Sequence, residues 1–261
     1  AFTKDLVQDY LEKKNVMLVG HTGCGKTSVI NELGARIKHG VVRVNMNGQT
    51  SIGDFVGMWT VKGGETVWVD GILPLAMRDG YILIIDEIDF AEPAILSVLN
   101  SVLEPSGKLC LKEKGHELVE PHENFRIFAT ANTVGCMSGY RHLYPGTNPL
   151  NEAFLDRFSV YHVNYLPPEQ EAKVLAASIG VSEKVAGFLV KVANSVRGAF
   201  EKEEVQCTFS LRRLISWGQM VLRTKDPIVA AESTIFSKIS SEDAAVIKGI
   251  INNVIPPKAK S

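Results

Sequence analysis

The chain has 261 residues, 45% hydrophobic and 22% charged, the balance of a water-soluble globular protein long enough for one large domain or two smaller ones. Twenty-eight Lys and Arg against 29 Asp and Glu leave a net charge of −1, which offers no electrostatic footprint for non-specific nucleic-acid binding and removes nucleic acid from the expected partners. Cys24, Cys110, Cys136 and Cys207 are scattered without a C-x-x-C pair and no apolar run reaches the length of a membrane span. Neither a disulfide framework, a zinc site nor a membrane anchor is therefore expected, and a reducing, cytoplasmic setting fits.

No signal-peptide pattern opens the chain, and because it starts at Ala1 the expectation is that the natural N-terminus is missing or processed. Thr3 to Lys14 carries Leu6, Val7, Tyr10 and Leu11 at helical spacing, with Thr3 as the expected N-cap. An apolar run, Val16 to Val19, is the first strand. It leads into Gly20–Thr27, G-H-T-G-C-G-K-T, and then into a helical segment from Thr27 to Lys38. Strand, glycine loop and helix are the context that makes G-x-x-x-x-G-K-[ST] a phosphate site. Glycines let the backbone curl so that successive N–H groups point inward, and the helix N-terminus adds positive potential. The expected phosphate-binding residues are Gly20, His21, Thr22, Gly23, Cys24, Gly25, Lys26, Thr27 and Ser28, with Lys26 reaching the β- and γ-phosphates of ATP and the Thr27 hydroxyl ligating Mg²⁺.

Val41 to Met46 reads as the second strand. Thr50 to Arg78 is irregular and punctuated by glycines, with V-K-G-G-E-T-V-W-V (61–69) as a hairpin; a functional insertion and a plain surface hairpin both remain open. Tyr81 to Ile85 is continuously apolar, as in a strand buried on both faces of a parallel sheet, and ends in Asp86-Glu87. Carboxylates at that edge sit where α/β sheets bind ligands, which gives Asp86 to Mg²⁺ and Glu87 to the attacking water as general base. Pro93 to Glu104 is helical, Lys108 to Val119 is a second hairpin turning at Gly115, and Phe125 to Ala131 is another buried strand. Asn132 at its end is placed to orient the lytic water, a turn asparagine being the alternative.

Asn151 to Phe158 reads as a short helix and Val160 to Val163 as the last strand. Pro167-Pro168 marks the domain boundary, giving an α/β domain over 1–166 and a helical domain over 167–261. The expected helices are 169–178, 182–199, 210–222, 227–238 and 241–254, followed by a frayed tail, P-P-K-A-K-S. His116, His122, His142 and His162 are dispersed and suggest no metal cluster.

A phosphate loop, a D-E strand end, an asparagine after a third strand, a D-R-F helix end and a helical C-terminal region together resemble the AAA+ ATPases. The hairpins ahead of Tyr81 and of Phe125 are similar to those of the clade containing the MoxR proteins and the metal-chelatase ATPase subunits. Within it, the resemblance runs to the ATPase (S) subunits of aerobic cobaltochelatase. It is carried by V-R-V-N-M-N (42–47), D-G-I-L-P (70–74), V-L-E-P-S-G-K-L (102–109), F-R-I-F-A-T-A-N-T-V-G (125–135), L-Y-P-G-T (143–147), N-Y-L-P (164–167) and F-S-L-R-R-L-I-S-W (209–217).

The resemblance implies a P-loop AAA+ core with a parallel five-stranded sheet, β-hairpin insertions and a C-terminal helical lid. It makes Gly20–Thr27 the Walker A loop, Asp86 and Glu87 Walker B, Asn132 sensor 1, and Arg157 an arginine finger that completes a neighbour's site. Arg212 becomes the sensor 2 arginine, with adjacent Arg213 as the competing assignment. Asn45 or Asn47 becomes a residue that holds Glu87 away from water. It further implies a homo-oligomeric, hexameric ring hydrolysing Mg-ATP to drive metal insertion into a corrinoid or porphyrin-like macrocycle by separate subunits, with a metal-binding partner. The alternative is a MoxR-like chaperone acting on a von Willebrand A domain partner; a nucleotide switch without turnover is a third class.

Overall fold

A computed structural model describes residues 2–46 and 50–255, apart from the side chain of Cys136. Asn47 and the expected frayed tail at 256–261 lie outside the described residues. Helix α1 (Phe2–Leu11) leads to β1 (Val16–Val19), α2 (Lys26–Ile37) and β2 (Val41–Asn45). Helix α3 (Ile52–Val56), the strands β3 (Gly57–Lys62) and β4 (Glu65–Asp70), and α4 (Ile72–Asp79) precede β5 (Ile82–Asp86). Then come α5 (Pro93–Val102), β6 (Leu109–Leu111), β7 (Glu117–Val119), β8 (Arg126–Ala131), α6 (Glu152–Leu155) and β9 (Ser159–His162). Five helices follow: α7 (Pro168–Ile179), α8 (Glu183–Glu201), α9 (Leu211–Thr224), α10 (Pro227–Thr234) and α11 (Ser241–Val254).

The main sheet is five-stranded and parallel in the order β2-β5-β8-β1-β9. Strands buried on both faces read as unbroken apolar runs because alternate residues enter two different cores. Met17, Val19, Leu83, Ile85, Ile127 and Ala129 pack on one face with Phe55, Leu73, Met77, Ile95 and Leu99 from α3, α4 and α5. Val16, Leu18, Ile82, Ile84 and Phe128 pack on the other with Leu6 of α1 and Ile30 and Leu33 of α2. Two antiparallel pairs, β3-β4 and β6-β7, stand apart from that sheet, as the two hairpin expectations require.

Local readings differ at several places, among them α3 within the stretch read as irregular and the expected helix 227–238, which ends at Thr234. Thr3 lies inside α1 rather than capping it, and the helix stops at Leu11 because Lys13 turns into the left-handed region at φ 60°. The glycine-punctuated stretch hides α4, whose N-cap is Gly71 and whose end is closed by Gly80 at φ 72°. Beyond Asn132, residues 135–143 wind into 3₁₀ turns that nothing in the hydrophobic pattern announces.

Contacts divide the chain into two units, one running up to Gly20 and over Lys26–Val163, the other joining His21–Gly25 to the chain from Asn164 onward. The division at Val163 has a local reason: its N–H still donates to Val19 O at 2.7 Å, continuing the β1–β9 ladder. In the second unit, Arg197 of α8 forms a bidentate pair with Glu171 of α7, both bonds 2.7 Å long and both side chains at most 6% exposed. Ser182, Ser210 and Ser240 cap α8, α9 and α11 by accepting from backbone N–H groups in the first turn. Among the described residues no helix is long and apolar enough to cross a membrane.

Candidate nucleotide-binding and catalytic site

The register of the sheet brings three strand ends together. Val19 pairs with Ala131 and Ile85 with Ala129, so the residues following β1, β5 and β8 emerge side by side at one edge, the edge where open α/β sheets bind ligands. Lys26 opens α2 there and is only 8% exposed. Its ammonium donates to Gly20 O at 2.7 Å and to Asn132 Oδ1 at 2.9 Å. The expected phosphate lysine and the expected water-orienting asparagine are thus in direct contact.

Asp86 is 5% exposed and densely held. Its Oδ1 accepts from the Thr27 hydroxyl at 2.9 Å and from the Thr130 hydroxyl, and its Oδ2 pairs with the Arg43 guanidinium. Thr130 in turn accepts from the Glu87 N–H at 3.0 Å, so one buried hydroxyl orients both acidic residues. Glu87 itself adopts φ 57°, ψ 46°. A left-handed glutamate is uncommon and costs on the order of 1–2 kcal/mol. Among the described residues no hydrogen bond engages its carboxylate. Oxygen donors from Thr27 and Asp86 side by side suit a hard divalent cation such as Mg²⁺.

Residues His21–Gly25 of the loop belong to the second unit. His21 lies face to face with Tyr165 at 6.3 Å between centroids and edge-on to Phe200 at 5.5 Å. The Tyr165 hydroxyl donates to Thr22 O at 3.0 Å, and the Leu211 N–H to Gly23 O at 3.4 Å. Gly23 and Gly25 hold φ of 75° and 98°, conformations glycine adopts without penalty. A Cβ on Gly23 would fall 2.2 Å from Ser210 Cβ. Cys24 donates its N–H to His21 O at 3.4 Å, and Ser28 is exposed on the first turn of α2.

Among the described residues no hydrogen bond joins Arg157 to this edge. Arg157 follows α6 and folds back on its own chain: Nε donates to Glu104 Oε1 at 3.0 Å, with further bonds to Glu104 and to Ala153 O. It lines a cavity of about 540 Å³ with Lys13, Glu104, His122 and Arg126. Arg212 is exposed on α9, whereas Arg213 donates to Thr208 O at 2.9 Å. Asn45 makes no hydrogen bond to Glu87 among the described residues, and its Oδ1 is buried without a partner there.

Sequence reasoning missed Arg43, Thr130 and Asp89. The signal for Thr130 was a hydroxyl inside an otherwise apolar strand, F-R-I-F-A-T-A. For Asp89 it was a second carboxylate two residues past Glu87. Arg43 carried none, since a strand arginine is ordinarily solvated.

Fold and site together define a P-loop α/β nucleotide-binding protein. Residues 15–158 match the model described as the AAA domain (dynein-related subfamily), and residues 171–255 match the one described as the CbbQ/NirQ/NorQ C-terminal domain. The chain belongs to the AAA domain family and is an ATP hydrolase of that type. It is 33% identical to aerobic cobaltochelatase subunit CobS of Sinorhizobium sp., over 95% of this chain and 81% of that protein. Protein NorQ of Paracoccus denitrificans (strain Pd 1222) is 27% identical over 90% of this chain and 83% of its own. A crystal structure from Cytophaga hutchinsonii ATCC 33406 superposes with a TM-score of 0.53 at 18% identity, over 96% of this chain and 79% of that one, and speaks for the fold alone.

Proposed function

We propose that this chain is the motor subunit of a homo-oligomeric, hexameric ring that couples Mg-ATP hydrolysis to remodelling of a partner protein, most specifically within a cobaltochelatase-like complex that inserts a metal into a corrinoid or porphyrin-like macrocycle. The observation that carries the chelatase reading is the 33% identity to CobS across 81% of that protein. In this reading Gly20–Ser28 cradles the phosphates, and Lys26 exchanges its contacts with Gly20 and Asn132 for the β- and γ-phosphate oxygens. Thr27 and Asp86 would hold Mg²⁺, which when bound would neutralise charge on the transferring phosphoryl group. Glu87 takes the proton of the attacking water, Asn132 orients that water, and Arg157 leaves Glu104 to complete a neighbour's site. Arg212, unlike the tethered Arg213, is free of any hydrogen bond among the described residues and takes the sensor 2 role.

The match of residues 171–255 to the CbbQ/NirQ/NorQ C-terminal domain, with the similarity to NorQ, favours a second reading: a MoxR-like remodelling ATPase acting on a partner with a von Willebrand A domain. Affinity capture with Glu87→Gln in ATP, followed by identification of the retained protein, separates the two. A metal-insertion subunit among the captured proteins supports the first, and a von Willebrand A protein without one supports the second. Specific ATPase activity that stays flat from dilute monomer to assembled protein counts against a shared site in either.

A further inference from the structure

Asp89 is the most completely buried acidic side chain near the site, at 0% exposure, and it belongs to neither the phosphate loop nor the D-E pair. It lies in the 3₁₀ turn Ile88–Phe90, directly after the left-handed Glu87. Its Oδ2 accepts three bonds from the end of β8: from Asn132 N–H at 2.9 Å, Thr133 N–H at 3.0 Å and the Thr133 hydroxyl at 3.0 Å. Its own backbone carbonyl accepts from Asn148 N–H at 2.6 Å. Its Oδ1 is buried with no hydrogen-bond partner among the described residues.

That arrangement is chemically lopsided. A buried carboxylate with one oxygen triply bonded and the other bare is an expensive way to fasten a turn, because an unpaired buried oxygen carries its full desolvation cost. A neutral asparagine or serine would cap the same two N–H groups at lower cost. What the charge adds is stiffness and direction: charge-assisted bonds are stronger than neutral ones, and here one holds the backbone of Asn132, whose side chain touches Lys26, while two hold the adjacent Thr133. We propose that Asp89 is a positioning residue for turnover, fixing the backbone of Asn132 and Thr133 so that the Asn132 amide points at the reacting phosphate, and tying that orientation to the turn that carries Glu87. This rests on the proposed role of Asn132 and names the group that enforces it.

The inference separates from a purely structural role through a double-mutant cycle, in which residues that act as a unit show non-additive losses. Steady-state turnover and binding of a non-hydrolysable ATP analogue are measured for Asp89→Asn, Asn132→Ala and the double variant of the full chain at one assembled concentration. Asp89→Asn keeps volume but removes the charge. It is expected to lower kcat about 10- to 100-fold, the scale of a small misplacement of a reacting group, with the analogue's Kd changed less than about threefold. In the Asn132→Ala background the same substitution is expected to add little. A loss that is fully additive, a fall in analogue affinity that matches the fall in turnover, or a lowered Tm with kcat intact each overturns the inference. If Asn132→Ala alone turns over normally, the proposed role of Asn132 has failed, and that single variant tells this apart from a failure of Asp89. Should Asp89→Asn not fold, Thr133→Val removes one of the three donors and is read by the same cycle.

Discussion

Arg157 is folded back onto Glu104 of its own chain, its Nε 3.0 Å from Oε1 and a second nitrogen bonded to the same oxygen. A guanidinium that is to serve a neighbouring site has to leave this partner, and the ion pair opposes that step. Glu104→Gln is expected to reduce the protein concentration at which specific ATPase activity reaches half its maximum. Arg157→Ala is expected to lower maximal turnover by about 10³-fold or more, the scale of an arginine finger, with little change in Tm, since the pair is partly exposed and such pairs are worth about 1 kcal/mol or less. Activity of Arg157→Ala near that of the parent would remove the finger.

Glu87 combines a strained backbone with an unengaged carboxylate. Glu87→Gln is expected to bind ATP and to lose nearly all turnover. Glu87→Asn is expected to be equally inactive yet as stable as the parent or more so, by up to about 1 kcal/mol, because asparagine tolerates the left-handed region. Urea unfolding of the two variants checks this, and a clear destabilisation of Glu87→Asn would show that the strain reading is wrong.

Asp9 of α1 accepts from the Tyr161 hydroxyl of β9 at 2.6 Å and from Lys14 at 3.1 Å. Burial alone would raise the Asp9 pKa, but the hydrogen bonds from Tyr161 and Lys14 outweigh it and hold it below the ordinary value. The bond to Asp9 pushes Tyr161 up from 10.0 to about 12. A raised pKa means the folded state holds the phenolic proton more tightly, so this stabilisation is complete below pH 10 and is lost as pH rises towards 12. The Asp9 contribution is present at neutral pH and is lost as acid protonates it. Tyr161→Phe is expected to cost about 1 kcal/mol at pH 8 and to flatten the alkaline limb of a stability–pH curve; an unchanged limb would contradict the pairing.

Gly23 and Gly25 share a positive φ but differ in surroundings. Beside Gly25 a Cβ meets nothing within 4 Å, while beside Gly23 it falls 2.2 Å from Ser210 Cβ. Gly25→Ala carries conformational strain alone, about 1–2 kcal/mol. Gly23→Ala adds a clash with a backbone-anchored atom and is expected to be the more damaging to both stability and ATP binding. Equal effects would mean that the loop does not rest against the α9 cap.

The Arg197–Glu171 pair is buried on both sides. Arg197 also donates to Phe209 O at 2.8 Å and lies 3.8 Å over the Tyr165 ring. Arg197→Met strands a carboxylate and is expected to cost about 3–5 kcal/mol, whereas joint replacement with Glu171→Leu should recover much of the loss. Chemical denaturation of the single and double variants measures both.

Much of this molecule was legible in order. The strands that build the site are continuously apolar because both faces are covered, and that pattern survives in VMLV, ILIID and RIFATA whatever the loops do. Phosphate-loop residues are readable because their chemistry demands glycines at fixed intervals followed by Lys and Thr. Helix α4 escaped because Gly71, Pro74 and Gly80 look like loop punctuation, although Gly71 and Gly80 bound a helix and Pro74 falls in its first turn. The roles of Thr130 and Asp89 escaped for another reason. Each acts through a partner about 43 residues away in sequence, a separation that local periodicity cannot bridge. Thr3, read as a cap, lies inside α1, which begins at Phe2.

Of the three tryptophans, Trp59 and Trp68 face each other across the β3–β4 pair at 5.6 Å, with Trp59 half exposed. Trp217 is sealed within the helical unit, its indole N–H donating to Pro227 O. Each unit therefore carries its own optical reporter. Emission from the sealed indole is expected to be blue-shifted and shielded from iodide, and that of half-exposed Trp59 to lie to the red and be quenched, so the melting of one half of the chain could be watched separately from the other without attaching any label.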